Sequence, residues 1–135
     1  MGRQCFRFLG VSAVFLLLAV PVRAHHSAAA AFDTTKPVAV TGTVTEVRLE
    51  NPHTWFIVDV PDASGKVVNW GFEGTTPTAL IRSGFKRDSL KPGDKVSVKA
   101  VHARDTTAPR GAASTITNVA TGQVFVVGGG GDNNN

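Results

Sequence analysis

Four histidines carry most of the chemistry that this sequence offers: His25, His26, His53 and His102. The first two adjoin in R-A-H-H-S, directly behind an apolar segment. If the chain is cut after Ala24, His25 becomes an amino-terminal histidine. Its α-amine and imidazole then close a chelate ring on one ion, and His26 adds a backbone amide and a second imidazole. Nitrogen-rich tetragonal sets suit Cu(II) or Ni(II), and Cu(II) stands highest in the divalent affinity order. The α-amine, with a pKa near about 8, must lose its proton, so binding weakens as pH falls. Cys5 and Met1 both precede that cut, so a soft Cu(I) or blue-copper centre is not expected. His53, in N-P-H-T, and His102, at the end of a strand pattern, are candidates to complete the set. The competing reading is plain: a polar start left by processing, a turn histidine and a strand-end histidine.

A second constellation is Trp55, Asn69, Arg104 and Arg110. Trp55 and Ile57 share a strand phase and face Asn69 and Glu73 across a hairpin. An exposed aromatic on such a sheet face stacks on a sugar or a base. Arg104 and Arg110, in a long loop over 103–113, would add contacts to an anion. Against this, a large aromatic is usually mostly buried, and the N-terminal lead-in or a helix could cover Trp55. Catalytic patterns are missing. No G-x-S-x-G elbow occurs, and the terminal G-G-G-G is followed by neither a Lys nor a helix, so it does not cradle phosphate. The expectation is a binding protein, not an enzyme.

The elements that must position these residues begin after a leader. Arg3 and Arg7 precede the apolar run Leu9 to Val20, and V-R-A supplies small-enough residues at Val22 and Ala24. That is the pattern of a secretory signal peptide over 1–24. The run falls short of the about 20 residues that a spanning helix needs. The formal charge of +4 is mostly a leader effect. The 14 basic residues less Arg3, Arg7 and Arg23 leave 11 against 10 acidic ones. A nucleic-acid partner is therefore not expected, nor a membrane one after cleavage. The expected address is the bacterial periplasm or the medium. The mature chain has no cysteine and must rely on one apolar core.

Residues 25–37 read as an extended lead-in, and 38–127 as one domain. Val38, Val40 and Val44 alternate, then Val47 and Leu49 fall out of phase, so a bulge is expected near Thr45 or Glu46 with a bend at Gly42. W-F-I-V-D-V is a second strand with Phe56, Val58 and Val60 inward. V-V-N-W-G-F-E is a third, with Val68, Trp70 and Phe72 inward. Thr76, Pro77 and Gly84 frame a short helix. K-V-S-V-K-A-V-H is a fourth strand and S-T-I-T-N-V-A a fifth. Q-V-F-V-V either extends the fifth or forms a final short strand. The glycine- and asparagine-rich end, 128–135, reads as a flexible tail. The order predicts an all-β chain: a small OB-fold-like five-stranded barrel with one short helix between strands three and four.

H-H-S, A-A-F-D, K-P-V-x-V-x-G-T-V, N-P-H-x-W, the N-W after the hairpin and R-D-S-L-K-P-G-D occur together here. In combination they resemble the bacterial exported family catalogued as domain of unknown function 6152, from His25 to about Val127. The resemblance implies export and a small β-barrel, and it carries over no catalytic residue. The function expected from all of this is an exported binding module. Copper, or another divalent metal, is the first candidate, through His25 and His26 with His53 or His102. The alternative is a saccharide, peptide, small-ligand or partner-binding domain using the face of strands two and three and the long loop.

Overall fold

The computed structural model describes residues 31–128. Within them the chain is all-β apart from a short helix. The elements are β1 (Phe32–Arg48), β2 (Trp55–Pro61), β3 (Val67–Glu73), α1 (Pro77–Arg82), β4 (Lys95–Ala103), β5 (Arg110–Asn118) and β6 (Val124–Val126). The sheet order is β3-β2-β1-β4-β5-β6, with an additional parallel pairing of β3 to β5. Six strands stand where five were expected, because Val124–Val126 turns back antiparallel onto Thr115–Thr117.

β1 carries two ladders in sequence. Its first part, Phe32 to Thr43, pairs with β4, and its second part, Thr43 to Arg48, pairs with β2. The handover falls where the valine phase slips, and the register shifts between Val44 and Glu46, which is the expected bulge. At Gly42 the backbones close up. A Cβ there would collide with the carbonyl oxygen of Asp59 and stand 2.8 Å from Val58 Cγ1. Only glycine leaves room for this crossing.

Two strands start earlier than their periodicity suggests. β1 begins at Phe32, ahead of Val38, because Phe32 and Asp33 lie opposite Ala103 and His102. The pattern is hidden by T-T-K-P, where the register slips between Asp33 and Pro37. β5 begins at Arg110, so the connection expected over 103–113 shortens to 104–109. Arg110, Gly111 and Ala112 have no alternating side chains to betray a strand, yet they pair with β3 and β4 at once.

The inward phases expected from alternation hold for most strand residues, although Val68 and Trp70, also expected inward, are only half-buried. Val44, Phe56, Val58, Phe72, Val96, Val98 and Ile116 are buried in one cluster, which Leu80, Phe85, Leu90, Phe125 and Val127 complete. The helix covers part of that cluster with Leu80. Thr76 caps it, its Oγ1 accepting from Ala79 N at 3.2 Å, and Pro77 opens the first turn.

We expect Gly42→Ala to lower stability by about 1–3 kcal/mol, the usual cost of overpacking. Urea unfolding should show a lower midpoint with an unchanged slope. An unchanged midpoint would contradict the close passage of β1 over β2.

Candidate metal and ligand sites

His102 sits near the end of β4, opposite Asp33 of β1 and Gly111 of β5. Its ring packs edge-on against Trp70, centroids 5.2 Å apart at 76°. Trp70 stacks in turn on the buried Phe72 at 5.4 Å. His102 Nδ1 lies 2.9 Å from the carbonyl oxygen of Ala103. A carbonyl only accepts, so Nδ1 carries the proton and Nε2 of the neutral ring keeps a lone pair. Metal-ligating histidines are commonly oriented in this way. Asp33 stands opposite His102 in the β1–β4 ladder, and the Asp105 carboxylate feels the His102 ring electrostatically. Asp33 is held below its usual value by the Thr35 hydroxyl and Thr35 N–H, with smaller help from Lys36 and Arg104. Asp105 is held low by the Thr107 hydroxyl and N–H, with a smaller contribution from His102. Arg104 donates its backbone N–H to Ala31 O at 3.0 Å. The described chain thus starts beside this end of β4.

His53 lies on the other face of β3. Its Nδ1 is 3.1 Å from Glu73 Oε1 and 3.3 Å from Gly74 O. Glu73 is in the outward phase, whereas Trp70, the partner of His102, is in the phase of Phe72. The two histidines are therefore not brought together. Among the described residues no three His, Cys, Asp or Glu side chains gather where they could hold a metal. His25 and His26 lie outside the described residues.

The outward face of β1, β2 and β3 reads in rows. Arg48, Trp55 and Glu73 form one row, Glu46, Ile57 and Gly71 the next. Asp59 lies opposite Asn69, whose Nδ2 donates to Asp59 Oδ1 at 2.6 Å. Trp55 is half-buried, and its ring leans toward Gly71, 3.7 Å from where a Cβ would sit. The Arg110 guanidinium lies 4.7 Å from the centroid of the Trp55 ring. Arg110 reaches it because β5 pairs with β3 at Gly71. Trp55 is therefore not a bare platform; it is a seat for an arginine.

Of the ligand-face residues singled out from sequence, Trp55 and Arg110 come together. Asn69 is tied to Asp59, and Arg104 sits with Asp33 at the His102 end. Sequence reasoning missed Asp33 as a neighbour of His102, because the lead-in was not expected to join the sheet. It also missed Arg48, which the bulge rephases onto the Trp55 row and which bonds Glu46 Oε2 at 2.7 Å.

Residues 14–112 match the profile described as Family of unknown function (DUF6152). The chain belongs to that family. The matched range takes in His25, His26, His53, Trp55, Asp33, His102 and Arg110. No curated protein and no solved structure matches the chain. No helix among the described residues is long and apolar enough to cross a membrane.

The Asp105 carboxyl titrates below its usual 3.8, chiefly because the Thr107 hydroxyl stabilises the anion. A depressed folded-state value gives stability that is present above the unfolded value and lost as pH falls through the folded one. Thr107→Ala should move the Asp105 titration upward toward 3.8, read by carboxyl-carbon NMR. Variant and parent should converge in stability once pH is low enough to protonate Asp105 in both states.

Proposed function

We propose that the mature chain is an exported, non-catalytic binding module that takes up Cu(II) or another divalent metal through His25 and His26, with His102 as the partner side chain. The fold reading that goes with it is an OB-like barrel with β6 appended. Its support is the ladder sequence, which runs β1-β2-β3 and returns through β5 and β4 to β1. Export to the periplasm rests on Arg3, Arg7, the apolar run and the small residues before His25.

One observation carries the metal reading: β1 enters the sheet beside His102, with Asp33 opposite it and Ala31 bonded to Arg104. Four residues lie between His26 and Ala31, so the five steps from one to the other reach at most about 18 Å. The lead-in expected over 25–37 therefore joins the sheet from Phe32 on, which shortens the tether from His26. His53, on the opposite face of β3, drops out of the set. His102 offers Nε2, and Asp33 and Asp105 supply negative charge, partly offset by Lys36 and Arg104. The test is Cu(II) titration with EPR on natively processed protein. A tetragonal, nitrogen-rich spectrum is expected. One Ala inserted before His25, and separately His102→Ala, should each change the spectrum. Each should also weaken binding at least about tenfold, the lower range for losing even an outer-shell partner. His53→Ala should change neither. A spectrum indifferent to both the insertion and His102→Ala overturns the proposal.

A second reading is favoured by Arg110 lying over Trp55. A guanidinium held on an indole keeps its N–H donors in plane for a carboxylate, so the outward β2–β3 face fits an acidic sugar or acidic peptide end. Titration with glucuronate should perturb tryptophan emission in the parent and not in Arg110→Ala. A response that survives Arg110→Ala excludes this face.

A further inference from the structure

β6 is the edge of the sheet. Asn118 N donates to Gln123 O, and Val127 N donates to Ser114 O, so Gln123 and Val127 turn toward β5. Alternation then aims the amides and carbonyls of Val124 and Val126 away from β5. Among the described residues no other strand pairs with them. Their side chains are exposed as well, at 58% and 64%, and Ile81 of the helix is 50% exposed. A bare edge bearing β-branched residues is a template for another strand, which proteins ordinarily blunt with charge or proline. Neither blunts Val124–Val126.

The same edge borders a groove. Leu80, Ser83, Gly84 and Phe85 on one side and the β6 segment on the other enclose about 220 Å³. That is below the about 300 Å³ at which pockets for drug-sized ligands begin. It suits the side chain of an extended peptide. Arg82 immediately precedes the lining residues Ser83 to Phe85, and Lys86 and Arg87 immediately follow them. All three cations are exposed and form no ion pair among the described residues, with Asp88 the one acid beside them.

We infer that the β6 edge docks an extended segment of a partner protein, adding a strand beside Val124–Val126, with an apolar side chain in the groove and acidic residues against Arg82, Lys86 and Arg87. Main-chain hydrogen bonds supply affinity in such strand addition, and the groove and the charges select the sequence. Edge-to-edge pairing with a second copy is disfavoured, because two-fold symmetry sets the same cations near one another.

The test uses the processed full-length chain and a fluorescent heptapeptide, Val-Ile-Val flanked on each side by two acidic residues. Anisotropy should report saturable binding. Lysine flanks, or N-methylation of the central backbone, should each weaken it about tenfold or more. Arg82→Glu, Lys86→Glu and Arg87→Glu together should reverse the preference in favour of lysine flanks. These surface changes keep the fold testable, and circular dichroism checks it. Absence of saturable binding, binding blind to flank charge, or self-association of the chain that Val126→Pro abolishes would each overturn the inference.

Discussion

The handover in β1 governs the rest of the molecule. One strand must pair with β4 along its first part and with β2 along its second. Hydrogen bonds to β4 and β2 can be kept through such a change only if the backbone bends, and the bend needs an unpaired residue and a missing Cβ. Thr45 supplies the first and Gly42 the second. The turn at Gly93 and Asp94 locks the corner, with Gly93 N donating to Val44 O and Val44 N donating to Asp94 O, both at 2.8 Å. Once β1 bends there, β3 can reach β5, and the core residues of all five long strands face one another.

That bend also decides what meets at each end. The start of β1 runs out along β4 and sets Asp33 opposite His102 in the ladder. The end of β1 delivers Arg48 to the Trp55 row, while the β3–β5 contact delivers Arg110 to the Trp55 ring. The two candidate sites are therefore products of one topological device on opposite faces of β3. They share no ligand, and each can be removed without the other.

Much of this was legible in the sequence. The valine phase slip at Thr45, the inward sets Phe56-Val58-Val60 and Val96-Val98-Ala100, and the T-P…S-G frame of the helix all follow from local rules that burial enforces. The rest depends on pairing across long stretches of chain. Phe32 and Asp33 join the sheet because β4 is there to receive them, not because T-T-K-P looks extended. Arg110–Ala112 becomes strand through contacts with both β3 and β4, although R-G-A has little strand propensity. For the same reason the separation of His53 from His102 could not be read from their loops. It follows from which side of β3 each ring packs on.

The central proposal is that His25 and His26 bind a divalent metal together with His102 and not His53. Paramagnetic broadening tests it most directly, since substoichiometric Cu(II) erases NMR signals around the ion. Backbone signals of Asp33, His102 and Asp105 should broaden first, while those of Trp55 and Glu73 stay sharp. Broadening centred on His53 and Glu73, or none at all near His102, would contradict the account.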